Sequence, residues 1–289
     1  MYGALFVSMD KVASMTKVDV KKRGDAFCEK VSTSIWKEVP ASDNPYHVDE
    51  ARCHGYEHLA LVNNKSFSEV LFLLFQGELP TESQIRLFDT LLLSVIHPGP
   101  RHNASRAAMN AAVSKTNASH VLPLALNVLG GEWQGSREVF ESMKFLQDSH
   151  HTPPTECAYE HMALVGDINE LDGDLTLAAG FGSTYGSADS YSQRLADNLH
   201  SNCDVGPSFK WAAEFVVATA KYNVGWRVTG LFAAVLTDLG FTPYQGELLF
   251  QIASAPGIAA QAAEKSAARI TEMPFVPDAN YTLESSESR

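Results

Sequence analysis

The residues best placed to do chemistry lie in one short segment, His97-Pro-Gly-Pro-Arg101-His102-Asn103. It holds two imidazoles and a guanidinium within a single turn. An imidazole can donate to a carbonyl or carry a proton near neutral pH. A guanidinium grips carboxylates through its planar fork of donors. Pro98 and Pro100 fix the backbone around them, so His97 is preorganised. An alanine-rich stretch, 104–113, follows, and the free amides at a helix start favour negative charge. Two readings stand: an anion- or carbonyl-binding loop, or a loop whose polar residues cap the helix behind it.

Other segments offer weaker chemistry. Gly180-Phe-Gly-Ser-Thr-Tyr-Gly186 is rich enough in glycine for backbone amides to approach a phosphate. It lacks the Gly-x-Gly-x-x-Gly dinucleotide spacing, and a plain loop is the other reading. His150-His151 stand beside Pro153-Pro154 with no carboxylate or cysteine at ligand spacing, so a solvated linker is expected rather than a metal site. Trp133, Trp211 and Trp226 sit at expected helix starts and are read as core packing. No Gly-x-Ser-x-Gly elbow is present to support a serine hydrolase.

The elements that must position the histidine loop are well signalled. Ser66-x-x-Glu69 and Thr81-x-x-Gln84 are capping boxes. Residues 70–75 are apolar all round, and Gly77 and Pro80 end that helix. Ile85, Phe88, Leu91, Leu92, Val95 and Ile96 then recur at helical spacing until Pro98. Further helices are predicted at 104–113, 121–129, 133–146, 191–202, 208–223, 226–239, 244–253 and 257–273. The small side chains of 104–113 predict a central helix. Residues 1–50 are polar and mixed, 175–186 is irregular, and no run of alternating strands stands out. The fold class is therefore all-α.

At 289 residues the chain can bury one large core or two closely associated ones. A net charge of −12 repels phosphate backbones, which argues against a nucleic-acid partner. Nothing approaches the ~18 apolar residues of a membrane span, so no membrane partner is expected. The first eight residues have an apolar run but no basic leader, a poor secretory signal, and the chain start is expected to be loosely ordered. Cys28, Cys53, Cys157 and Cys203 are scattered, which suits reduced thiols in a cytoplasmic protein.

From about Cys53 to Glu264 the chain resembles the citrate synthase superfamily, including the citryl-CoA lyase module of ATP-citrate lyase. Cys53-His-Gly-Tyr-Glu-His-Leu59 is similar to the family's Arg-Gly-Tyr opening. Ser66-Phe-Ser-Glu-Val70 with Gly77-Glu-Leu-Pro80 resembles its most recognisable helix pair, and His97-Pro-Gly-Pro its lyase-branch His-Gly-Pro. Gly130-Gly-Glu-Trp-Gln-Gly135, Gly180-Phe-Gly-Ser183 and Asn223-Val-Gly-Trp226 sit where the family has Gly-Pro-x-His-Gly-Gly, Gly-x-Gly-His and Asn-Val-Asp-Phe. The departures are as informative. Trp133 replaces the synthase histidine, Ser183 the second histidine, Gly225 the catalytic Asp, and Ser254 a late substrate arginine.

The resemblance implies a citrate synthase-like fold. Its large helical domain would be 46–148 with 222–275, and its small domain 149–221, flanked by an N-terminal extension 1–45 and a tail 276–289. It implies C–C bond formation or cleavage between a CoA thioester and a carboxylic (oxo or hydroxy) acid, or a catalytically inactive homologue that binds ligands. His97 and Ser183 are the implied catalytic residues. Arg101, His102, Arg106, Arg137 and Arg227 are implied to bind substrate, and Gly180, Phe181, Gly182 and Ser183 to face the CoA thioester. It implies no metal, no permanently bound cofactor, and a homodimer.

Overall fold

The computed structural model describes residues 22–165 and 173–282, so the expectations for residues 1–8 and for the end of the tail lie outside the described residues. The chain divides after His58 into two units. The first carries a three-stranded antiparallel sheet in which β1 (Trp36–Pro40) pairs with β2 (Val48–Cys53), and β2 with β3 (Tyr56–Glu57). This sheet departs from the absence of strands expected there. Its strands are short, mostly exposed and rich in charge, which leaves little alternation to read.

The second unit is helical, as expected of an all-α chain. It opens with α1 (His58–Asn64), α2 (Phe67–Gln76) and α3 (Glu82–Ser94). Both capping boxes form: the Glu69 amide donates to Ser66 Oγ at 3.2 Å while the Ser66 amide donates back to Glu69 at 2.8 Å, and Thr81 and Gln84 do the same. Gly77 closes α2 in the left-handed conformation, φ 81°, which glycine adopts without steric cost. After the histidine loop come α4 (Asn103–Val113), α5 (Ala118–Leu129), α6 (Ser136–Ser149) and α7 (Pro154–Leu164). Then follow β4 (Leu175–Ala178), β5 (Phe181–Ser183), α8 (Ser190–Asn202), α9 (Pro207–Thr219), β6 (Gly225–Trp226), α10 (Val228–Asp238) and α11 (Pro243–Lys265).

The buried centre is α10, not the alanine-rich α4. Thr229 to Leu236 are all buried, because this helix is apolar all round and needs cover on every side. α6 packs against both α10 and α11, and α4 lies against α5 and α11. α4 buries its alanine face but exposes Arg106 and Asn110. Small residues permit close packing there without making the helix central.

Two other expectations change. The 175–186 stretch is not irregular: β4 and β5 pair antiparallel, and β5 pairs with β6. Leu175 and Leu177 point inward around an exposed Thr176, but four residues are too few for alternation to be read. The break expected at Pro256 does not occur; α11 runs through it. Proline cannot supply the helical amide at that position. The next amide, Gly257 N–H, leaves the ladder and donates to the Ile96 carbonyl at 3.0 Å.

Candidate functional site

That diverted amide is what holds the histidine loop. Gly257 bonds the carbonyl immediately before His97, and Ser254 Oγ donates to the preceding Val95 carbonyl at 3.2 Å. A Cβ on Gly257 would fall 2.5 Å from His97 Cβ, so α11 touches the loop where only glycine fits. Ser254, at the position where the resemblance expects an arginine, is buried and serves this contact. Within the loop, the Gly99 amide donates to His97 Nδ1 at 2.8 Å. Nδ1 must then be the acceptor, which leaves the neutral ring's hydrogen on Nε2. The exposed His97 ring therefore presents a donor.

His102 is committed at both nitrogens. As N-cap of α4 it accepts from the Ala104 amide through Nδ1 at 3.1 Å, and its Nε2–H donates to the Gln134 carbonyl at 3.2 Å. Burial pushes its pKa below the ordinary histidine value, partly offset by the Gln134 bond. Both sequence readings of this loop thus have a residue: His102 caps, and His97 stays available.

The electrostatic centre is a pair 89 residues apart in sequence. Arg227 Nη1 donates to Glu138 Oε1 at 2.8 Å, and both side chains are almost fully buried. Glu138 also accepts from the Gly180 amide at 3.3 Å, Thr229 Oγ1 at 2.9 Å and the Gln134 amide at 3.0 Å. Arg227 Nη2 reaches the Leu175 and Ser183 carbonyls, both at 3.4 Å. A buried ion pair needs such additional bonds to offset its desolvation. Trp133 lies over the guanidinium, 4.5 Å from ring centre to Cζ, within cation–π range. Trp133 is half exposed rather than core-packed, whereas Trp226 is buried.

Three cavities of about 330, 360 and 320 Å³ lie here: Arg227 lines the first two, and the third shares Trp133 with the first and Thr184 and Tyr185 with the second. The first is walled by Arg137, Glu141, Trp133 and Arg227; the second by Gly182, Tyr185, Ala188 and Arg227; the third by Arg101, His102, Trp133, Asp174 and Tyr185. Four of the five expected substrate-binding residues thus gather here. Arg106 sits exposed on α4 and lines none of the three, and neither does His97. Arg137 is already paired with Glu141 at 2.5 Å and stacks on Phe140.

Gly180, Phe181, Gly182 and Ser183 are largely or fully buried. Their glycines answer close approach: a Cβ on Gly180 would fall 2.4 Å from the Gly230 Cα, and one on Gly182 would fall 2.2 Å from the Leu175 carbonyl. Phe181 belongs to the core, and Ser183 steadies Arg227 through its carbonyl. At Gly225 a Cβ would lie 2.7 Å from the Ala188 Cβ, so the space for a side chain there is filled. Sequence reasoning passes over Glu138, Asp174 and Ala188. An isolated arginine in the apolar run 224–233 is the available hint, since a charge buried there needs a counter-charge. Among the described residues no group of three or more metal-ligating side chains occurs, and no helix is long and apolar enough to cross a membrane.

No known family model matches this chain. Over 92 residues it is 37% identical to 2-methylcitrate synthase 1 of Corynebacterium glutamicum, covering 28% of this chain and 23% of that protein. In structure it is similar to citryl-CoA lyase from Hydrogenobacter thermophilus, with a TM-score of 0.69 and 23% identity over 88% of this chain and 95% of that one. It is also similar to Methanosaeta concilii ATP citrate lyase in complex with (3S)-citryl-CoA, with a TM-score of 0.67 and 16% identity over 97% of this chain. This chain spans only 45% of that larger protein. The chain therefore shares the fold of citryl-CoA lyase.

Proposed function

We propose that this chain acts on a CoA thioester and a carboxylic acid, oxo or hydroxy, by forming or cleaving a C–C bond. The observation that carries the reading is the convergence of Arg101, His102, Asp174 and Arg227 on adjoining cavities. Cations to hold an acid and a carboxylate able to move a proton are what such a reaction requires. Arg101 and Arg137 offer charge to the acid. His97 lines none of these cavities; its exposed Nε2–H is assigned to a carbonyl. The thioester lies against the β5 side, where Gly182 and Thr184 wall a cavity. No permanently bound cofactor enters this reading. Its support in the fold is the likeness to citryl-CoA lyase over nearly that whole chain.

Calorimetric titration with CoA and acetyl-CoA tests binding, and assays of citryl-CoA cleavage and of oxaloacetate condensation test turnover. Binding with turnover that His97→Ala abolishes is the expected result; no heat at millimolar CoA overturns the reading. A second reading, ligand binding without C–C chemistry, is favoured by the filled space at Gly225, the position where the resemblance expects the catalytic Asp. Binding without turnover in either direction would select it.

A homodimer in the cytoplasm and a two-domain division belong to the same proposal. Leu124 and Val128 on α5 and Tyr244, Leu248 and Ile252 on α11 are exposed, and the last three, spaced at i, i+4 and i+8, share one helix face. Light scattering should give twice the chain mass, reduced to one by Leu248→Glu.

A further inference from the structure

We propose that Asp174 is the general base of this site, an inference that rests on the C–C reading above. The position where the resemblance expects a catalytic Asp cannot carry one, because Ala188 stands 2.7 Å from where the Gly225 Cβ would be. A base must therefore come from elsewhere in the cavity walls.

Both imidazoles already have their acceptor nitrogens occupied. His97 Nδ1 already accepts from Gly99, and His102 is bonded at both nitrogens. Among the described residues, five carboxylates line the cavities: Glu132, Glu138, Glu141, Asp174 and Asp189. Glu138 is buried and accepts four hydrogen bonds. Glu141 is shared by Arg137 and Lys144. Asp189 caps α8, with one oxygen on the Tyr191 amide and the other on the Ser192 hydroxyl. Glu132 borders only the cavity of Arg137 and Glu141, away from Arg101 and His102. Asp174 remains. It is partly exposed, it is the one carboxylate among the described residues that lines the cavity of Arg101, His102 and Trp133, and its Oδ1 lies 3.7 Å from Arg227 Nη2. That separation is too long for a hydrogen bond, and Arg227 is compensated by Glu138 at 2.8 Å. Arg227 therefore orients Asp174 without consuming its lone pairs.

In the condensation direction Asp174 takes a proton from the α-carbon of the thioester. The C–H electron pair becomes the enolate double bond, and the charge moves to the thioester oxygen. The α-carbon then bonds the keto carbon of the acid, and the keto oxygen takes one proton to become a hydroxyl. Asp174 returns to its carboxylate. Cleavage is the reverse, with the proton taken from the hydroxyl.

The first half-step can be read alone. Wild type, Asp174→Asn and Asp174→Glu are incubated in D2O with acetyl-CoA or propionyl-CoA, with malate added as an acid that cannot condense. Deuterium at the α-carbon is followed by mass spectrometry, and CoA affinity is measured in parallel. Wild type should exchange. Asp174→Asn should lose about 10²–10⁴-fold of the rate, the usual contribution of a positioned base, with CoA affinity unchanged. Asp174→Glu, which restores a carboxylate, should recover part of the rate that Asp174→Asn loses. Wild-type exchange in Asp174→Asn overturns the assignment, as does CoA binding without exchange in wild type; both leave the binding reading intact. Failure of wild type to bind CoA overturns the C–C reading and the assignment with it.

Discussion

The contact between Gly257 and His97 sets two local rules against each other, and their magnitudes decide the outcome. Gly257→Ala places a better helix former inside α11, a gain of up to about 1 kcal/mol on propensity alone. The new Cβ would stand 2.5 Å from both His97 Cβ and the Ile96 carbonyl oxygen and 2.6 Å from His97 Cα. Backbone atoms on both sides cannot give way as a flexible side chain would, and overpacking of this kind costs about 1–3 kcal/mol. Pushing the loop away also stretches the bond from Gly257 N–H to Ile96, which contributes about 0.5–1.5 kcal/mol. The net expectation is a loss of about 1–3 kcal/mol. At about 2–4 °C per kcal/mol for a unit of this size, the melting temperature falls by several degrees. The His97 imidazole resonances should shift while those of His200, on α8, stay fixed. A melting temperature that rises, as propensity alone demands, or an unmoved His97 spectrum would refute the reasoning.

Three further outcomes follow from the same geometry. Arg227→Met or Glu138→Leu alone should cost about 3–5 kcal/mol in urea unfolding, because each leaves a buried partner unmatched, and the two together should recover much of it, a coupling that additive losses would disprove. Gly225→Ala should destabilise by about 1–3 kcal/mol through the Ala188 contact, and Ala188→Gly should relieve it; equal melts for the single and double variants would count against that contact. His102 has a folded pKa below its unfolded value of about 6.5, so its unfolded form binds more protons as pH falls. The stability it contributes is present above that value and is lost as pH drops toward the lower folded pKa. His102→Asn, which keeps a capping oxygen, should flatten the decline in melting temperature across this acidic window, and a curve parallel to wild type would refute it.

What is legible in the sequence is what is local. The Ser66 and Thr81 boxes and the Gly77 stop depend on residues within four positions of one another, so the residues themselves announce α2 and α3. The loop they deliver is legible too, because two prolines restrict it whatever surrounds it. The glycines of 180–186 stand out for a reason other than the one their pattern suggests. Their partners are the Gly230 backbone, distant in sequence, and the Leu175 carbonyl on the neighbouring strand, and no short-range pattern announces either. Pro256 misleads in the opposite direction: a rule about helix interiors holds only until a neighbouring amide finds an acceptor outside the helix, here Ile96. The same logic governs the site. Charge in a buried site has to balance, and Arg227 is balanced by Glu138, 89 residues away. With Gly225 packed against Ala188, the proposed base is Asp174, a residue with no motif around it, which lines the cavity of Arg101 and His102.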